Sequence, residues 1–413
     1  MNNNRSKKIS VLIGCSLMLT ISYMALSSWS VAVPALSKSF RLSNTMLQIG
    51  NGALIAGYAV GSFIEGKMLV KSGWKKTFFF AMALFLLGSL LIPFMTNYVM
   101  IVILRFLMGF GLIVNLTCAL VGGWFPSKER GLATGILVGC IGLGSALGGV
   151  VTGALNPAFG WKKTFLILSA ITVVGIVLFM MLVKTPPDKL EDDVVELSTA
   201  EDEPEFEGNI YKQPALWLFA LALLCVFFNV YGMYAFLPNY LQEAGYSSGA
   251  ISMIVLLNGL IAVASTPIGG YVSDKMIVKT GNVLKSRALS VAFVGALVGA
   301  IGCLLVPVFA GFGVAATGFA AIVAGWGCPA TNSPILSLPS DIFGSKAAGP
   351  ANGVVILVAG IGGVVSPILV SSIAESSRTM AWLTLAISAI ICFVICLILP
   401  KFGINTNQVD KKA

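Results

Sequence analysis

The chain has 413 residues, is 57% hydrophobic and only 10% charged, carries a formal net charge of +9 and contains no histidine; its mean hydropathy is +0.92. Ordinary globular proteins are about 25% charged, so the composition excludes a soluble domain and describes a polytopic membrane protein. The surplus of Lys and Arg belongs to loops on one side of a bilayer rather than to nucleic-acid binding, and the absence of His excludes His-based metal sites and proton relays.

A span needs about 20 mainly apolar residues, and twelve such runs follow one another. Six lie near 9–33, 44–65, 77–96, 99–123, 131–154 and 164–183, and six near 214–238, 248–272, 288–307, 309–336, 352–373 and 380–400. The first follows Arg5, Lys7 and Lys8 but is too long for the apolar core of a signal peptide. Pro329 and Pro334 are expected to break the tenth. Between the sixth and seventh runs lies Lys184–Gln213, where ten of the chain's 17 acidic residues fall between Asp188 and Glu207. That composition reads as a solvated linker. The expected organisation is an N-terminal six-helix bundle (1–183), an acidic cytoplasmic linker (184–213) and a C-terminal six-helix bundle (214–413).

Placing the N-terminus in the cytoplasm puts twenty of the 26 Lys and Arg residues in cytoplasmic segments and five outside. The positive-inside rule then predicts a multi-pass protein of the cytoplasmic membrane with both termini cytoplasmic. The remaining cation, Arg105, falls inside the fourth run. An Arg at the bilayer centre costs roughly 2.5–3.5 kcal/mol on insertion scales, so it either braces a neighbouring helix or anchors an anionic substrate through its two-pronged guanidinium. Gly109, Leu112 and Leu116 continue its helical face and are expected to leave room beside it, with Asn115 about 80° away.

The fifth run carries Gly135, Gly139, Gly142, Ala146, Gly149 and Gly153 on one stripe, a device for close helix packing. Polar residues inside other runs are candidates for a central site: Tyr23, Ser27 and Ser30 in the first, Tyr231 and Tyr234 in the seventh with Asn229 opposite, Asn258 in the eighth, and Trp326 and Asn332 in the tenth. Glu65 ends the second run on the cytoplasmic side. The eight Cys all lie in apolar runs without a CxxC spacing and read as small buried hydrophobes. No Walker sequence, catalytic triad or metal-ligand cluster is visible, so neither an enzyme nor an ATP-driven pump is expected, and no cofactor.

A repeat supports two related halves. Lys67-Met-Leu-Val-Lys-Ser-Gly73 follows the second run and Lys275-Met-Ile-Val-Lys-Thr-Gly281 the eighth, equivalent turns six spans apart. The first turn, Gly66-Lys-Met-Leu-Val70-Lys71-Ser-Gly73-Trp-Lys75-Lys76, resembles the major facilitator superfamily pattern G-x-x-x-D-R-x-G-R-K, with Val70 in place of the acid. Gly270-Tyr-Val-Ser-Asp274-Lys275 keeps the acid, in a register four residues from the self-match. Arg105-Phe-Leu-Met-Gly109-Phe-Gly111 resembles the superfamily's Arg-bearing motif, and Trp124-Phe-Pro126-Ser-Lys-Glu129-Arg130-Gly131 is similar to the organic-anion branches: anion:cation symporters, the monocarboxylate and oxalate/formate group, and the cyanate- and nitroimidazole-permease-like group. Two departures stand out. Leu112 occupies a position where proton-coupled anion symporters often have Glu, and Gly144-Ser145 lacks the proline of drug/proton antiporters.

The resemblance implies an all-α membrane protein with twelve transmembrane helices in two pseudo-symmetric six-helix bundles. It implies a cavity lined by spans one, four, seven and ten, so Arg105, Tyr23, Tyr231, Asn332, Trp326 and Asn115 are the expected substrate-binding residues. Gly66, Lys71, Gly73, Asp274 and Lys275 are the expected conformational switch, weakened on the N-terminal side by Val70 unless Glu65 substitutes. The expected function is secondary active or facilitative transport of a small organic anion, a carboxylate, by alternating access. Its partners would be that small molecule and the lipid bilayer, with no nucleic acid, and the chain is read as a monomer. With no acid in the cavity-lining spans, uniport or exchange is favoured over proton symport, the alternative being proton coupling through the substrate's own carboxyl group or through Glu65. The alternatives are efflux of neutral or hydrophobic compounds and, from another class, a non-transporting membrane sensor.

Overall fold

The computed structural model describes residues 2–42, 44–185 and 209–402, and these form helices and connections without a strand. The acidic residues 188–207 and the terminal Lys411 and Lys412 lie outside the described residues. Ten stretches are long and apolar enough to cross a membrane. Two of them, Ile49–Phe94 and Glu129–Leu182, exceed any single crossing at 1.5 Å per residue. Each contains a glycine with non-helical backbone, Gly73 (φ 75°, ψ 166°) and Gly160 (φ 74°, ψ 161°), a conformation open to glycine without strain. Dividing these two stretches there gives the twelve spans read from the sequence; Gly344 (φ 77°, ψ 170°) already separates two of the ten.

Spans one to six are Asn2–Phe40, 44–72, 74–91, Tyr98–Trp124, 127–159 and 161–182. Spans seven to twelve are Pro214–Glu243, Ser248–Thr280, 283–309, 314–343, 345–376 and Arg378–Ile398. Span four is not continuous: helix Tyr98–Gly109 gives way at 110–113 before helix Val114–Trp124. A Cβ on Gly111 would collide with the Phe85 side chain. Span ten corrects the expectation of a break, since one helix runs through Pro329, Pro334 and Pro339. Thr331 Oγ1 donates to the Cys328 carbonyl at 2.6 Å and Ser337 Oγ to that of Ser333 at 2.8 Å, so these two hydroxyls are satisfied within their own helix.

The structure reconciles the two registers of the repeat. Gly66 packs on the start of span eleven, where a Cβ would lie 2.5 Å from the Gly349 carbonyl oxygen, and Gly270 packs in the same way on Gly131 at the start of span five. This packing equates Gly66 with Gly270 and Val70 with Asp274. Yet the glycines that end the two helices with positive φ are Gly73 (75°) and Gly281 (65°). Span eight is therefore four residues longer at this end, about one helical turn.

We call the face bearing Lys184 and Pro214, the two flanks of the central connection, the linker face. There spans one to six meet spans seven to twelve along two seams. In one, span five lies on span eight: a Cβ on Gly135 would sit 2.5 Å from Pro267, one on Gly139 2.9 Å from the Val263 carbonyl, and one on Gly142 3.4 Å from that of Gly259. In the other, span two lies on span eleven through Gly66 and Gly349, Ser62 and Gly353, Ala59 and Gly360, and Ile55 and Gly363. Further from the linker face the contacts cease, and Gly52 and Gly153 would place a Cβ in open space. The halves are closed at the linker face and diverge towards the opposite one. The glycine stripe of span five is thus split: Gly135, Gly139 and Gly142 form the seam and Gly153 lies beyond it, while Gly144 and Gly148 seat span one through the Thr20 and Met24 carbonyls.

Candidate functional site

The linker face is held by a closed circuit of charge. Arg130, at the start of span five, donates from Nη1 to Asp341 Oδ1 of span ten at 2.7 Å. The other oxygen of Asp341 accepts from Arg287 Nε of span nine at 3.0 Å, and Arg287 Nη1 reaches Asp274 Oδ1 of span eight at 2.6 Å. Asp274 Oδ2 then accepts from the Leu132 amide of span five at 2.8 Å. Two cations and two carboxylates balance, and all four side chains are buried. Such a cluster tolerates burial because every charge is paired and hydrogen-bonded.

Among the expected switch residues, Asp274 belongs to this latch and Gly66 to the second seam. Gly73 forms the turn, Lys71 is exposed, and Lys275 lies 4.6 Å over the Tyr271 ring. Sequence reading missed Arg130, Arg287 and Asp341, counting the cations only as loop charges. The signal was present: an acid three residues before a turn glycine, Asp341-Ile-Phe-Gly344, in a span otherwise without charge. The N-terminal counterpart has Val70, 64% exposed, and exposed Lys71, Lys75 and Lys76. Glu65 makes no ion pair among the described residues, so it does not substitute for the missing acid. Beside the latch, a groove of about 340 Å³ runs between spans five and eight, lined by Leu132, Ile136, Tyr271, Asp274 and Val278 among others. It flanks the gate and is remote from the tyrosines described below.

Arg105 is fully buried among spans one, two and four. Its Nε donates to the Gly50 carbonyl at 3.2 Å, Nη1 to that of Ala25 at 3.0 Å and Nη2 to Asn51 Oδ1 at 2.6 Å. The guanidinium also lies 4.8 Å from the Trp29 ring centroid, a cation–π distance. The indole is fixed in turn by its Nε1 bond to the Leu47 carbonyl at 2.8 Å. The expected room beside Arg105 is absent, because Gly109 abuts the backbone of Leu54 and Tyr58. None of these partners carries negative charge, so the cation is solvated by dipoles and keeps its net charge. Asn51 passes the polarisation on, donating from Nδ2 to Ser30 Oγ at 2.8 Å, and Ser30 is exposed.

Where the two halves first meet, aromatic rings close the gap between them. Tyr58 stacks on Phe227 of span seven with centroids 6.4 Å apart, and Tyr23 meets Tyr58 edge-on at 6.5 Å. Phe227 meets Tyr231 at 5.4 Å. This chain of ring contacts brings Tyr23 and Tyr231 into one cluster. It does so through Tyr58, which a path lined only by spans one, four, seven and ten leaves out.

The other candidates are dispersed. Trp326 Nε1 donates to the Val294 carbonyl of span nine at 3.2 Å. Asn332 is half-buried, with an Oδ1 that lacks a hydrogen-bond partner. Asn115 bridges the halves, donating to the carbonyls of Ser62 at 2.7 Å and Gly349 at 3.2 Å. Asn229 and Asn258 stitch helices of the C-terminal half, through the carbonyls of Leu385 at 2.9 Å and Ala321 at 2.6 Å.

Twelve membrane spans in two groups of six, meeting at one end and parted at the other, are the architecture of a membrane transporter. The chain belongs to the Major Facilitator Superfamily, whose family model matches residues 15–322. Among curated relatives, "Probable sulfoacetate transporter SauU" of Cupriavidus necator is 28% identical over 87% of this chain and 85% of its own length. "Hexuronate transporter" of Bacillus subtilis is 25% identical over 91% and 90%. Among solved structures, the proton:xylose symporter XylE bound to 6-bromo-6-deoxy-D-glucose superposes with a TM-score of 0.74 at 16% identity, over 97% of this chain and 96% of that one. That likeness concerns the fold.

Proposed function

We propose that this transporter moves a small organic anion of the carboxylate class across the cytoplasmic membrane by alternating access of its two six-span halves, residues 1–183 and 214–413. The observation that carries the reading is Arg105, a buried guanidinium whose partners among the described residues are all uncharged, and whose Asn51–Ser30 relay leads to an exposed hydroxyl. An uncompensated charge behind low-dielectric walls raises the local concentration of anions. The names of the relatives, sulfoacetate and hexuronate transporters, describe substrates of that class. Tyr23, Tyr58 and Tyr231 offer hydroxyls at the base of the cleft, and Asn332 an unpartnered amide oxygen. Trp326 and Asn115 support helices around them. On the Lys and Arg distribution, the linker face is cytoplasmic, so the conformation described is open to the outside.

The test starts with a thermal-shift screen of purified protein against carboxylates, sulfonates, uronates and hydrophobic drugs. Uptake of the stabilising anion into proteoliposomes is then compared for wild type, Arg105→Lys and Arg105→Gln. A fall in kcat/KM of about tenfold or more in both variants is expected, the loss of a charge-assisted bond being worth roughly 1.5–3 kcal/mol. Wild-type uptake by both variants overturns the anchor. Stabilisation by drugs alone favours efflux of hydrophobic compounds.

A further inference from the structure

Three pairs of residues connect the aromatic floor of the cleft to its outer part: Tyr23 and Ser30 on span one, Tyr58 and Asn51 on span two, and Phe227 and Tyr234 on span seven. Residues seven apart lie two turns apart on one helical face. The inner members are in ring contact, Tyr23 with Tyr58 and Tyr58 with Phe227. Two turns further out, roughly 10 Å along the helices, Asn51 still holds Ser30 at 2.8 Å, but the opposite wall has drawn away. A Cβ on Gly52, beside Asn51, would meet nothing. Ser30 is exposed on one wall and Tyr234, 36% exposed, stands on the other.

The hydrogen bonds give this outer level a direction. Arg105 Nη2 donates to Asn51 Oδ1, which turns the amide nitrogen of Asn51 towards Ser30, and Ser30 Oγ accepts from it. The Ser30 proton is left to donate. Each bond in such a chain polarises the next, so the hydroxyl carries the field of a guanidinium that is itself fully buried. The charge available is single. Arg130 and Arg287 are engaged in the latch, and spans seven and ten contain no Lys or Arg. The wall bearing Tyr234 therefore offers hydroxyls and amides without a cation. One anionic group balances Arg105, and a second would stand as a bare charge in a poorly solvated cleft, which is costly.

We propose that Ser30 is the residue that touches the transported anion, and that its site takes a monovalent anion and rejects dianions. The site presupposes anion transport, the function proposed above. The acid group accepts from Ser30 Oγ, and Arg105 acts on it through Asn51 without contact. The body of the molecule fills the depth down to the floor of Tyr23, Tyr58 and Phe227, which suits a monocarboxylate with one ring or a six-carbon chain.

The test titrates thermal shifts of the purified protein with matched acids that differ by one carboxylate, benzoate against phthalate and glucuronate against glucarate, at a pH where every acid is ionised. A monoanion is expected to stabilise at a concentration about tenfold or more below that of its dianion. Ser30→Ala should weaken the monoanion about tenfold, the loss of a hydrogen bond to a charged group, without moving the melting temperature of the unliganded protein. Ser30→Thr keeps the hydroxyl and should restore binding. Tyr234→Arg, a second cation on the facing wall, should bring the dianion level with the monoanion. Dianions that bind as well as monoanions in wild type overturn the proposal, as does the failure of both monoanions to bind. Wild-type affinity in Ser30→Ala, with affinity lost in Arg105→Gln, overturns the Ser30 contact alone. Stabilisation by hydrophobic drugs only, unmoved in Arg105→Gln, overturns anion transport itself.

Discussion

Arg105 shows what a residue-scale reading of a membrane sequence captures and what it misses. Its cost was evident from one charge in an apolar run, and so was the need for partners. The partners themselves were hidden, because two of the three are the backbone carbonyls of residues 25 and 50, and carbonyls leave no mark in a sequence. The same holds for Tyr58, whose role comes from stacking across to Phe227. Among the described residues Asn51 is the one side chain that accepts from Arg105 (2.6 Å), and it joins that charge to Ser30. Asn51→Ala leaves Arg105 two carbonyls and its Trp29 contact, so the folded protein should persist. Anion KM is expected to rise about tenfold with little change in melting temperature, as measured by proteoliposome uptake beside a thermal melt.

At the scale of elements, the hydrophobic runs placed twelve spans, and the turn glycines with positive φ separate them where the polar breaks predicted. The latch was only half legible. Asp274 stood in a recognisable pattern, whereas Arg287 and Asp341 come from spans nine and ten and meet only in three dimensions. The predicted break at Pro329 and Pro334 failed for a physical reason: prolines are tolerated in membrane helices, where the surrounding helices hold the backbone together, so the helix runs on through them. Arg287 holds two buried acids at once. Arg287→Ala would strand Asp274 and leave Asp341 to Arg130 alone, and breaking a buried pair in this way costs about 3–5 kcal/mol. The closed linker face should lose that advantage, seen as increased thiol-reagent access to cysteines placed at its rim and as a lowered melting temperature.

For the whole molecule, helical periodicity specifies which faces are apolar but not which ends of the two halves touch. The closed linker face and parted opposite face are therefore findings of the structure alone. They predict that cysteines introduced at Leu69 and Gly349, whose Cβ atoms would lie 3.6 Å apart, in a background without native cysteines, are captured by a short bifunctional thiol reagent. The captured protein should lose transport, and reduction should restore it; free transport after complete cross-linking would show that this seam need not part. The extra turn of span eight adds an order to these events. It sets Asp274 seven residues inside Gly281, deep enough to be enclosed with Arg287, whereas Val70 stands three residues from Gly73 at the solvent rim. One edge of the closed face is thus riveted by ions and the other merely rests in contact. Separation is expected to begin along spans two and eleven, with spans five and eight serving as the hinge until their charges let go.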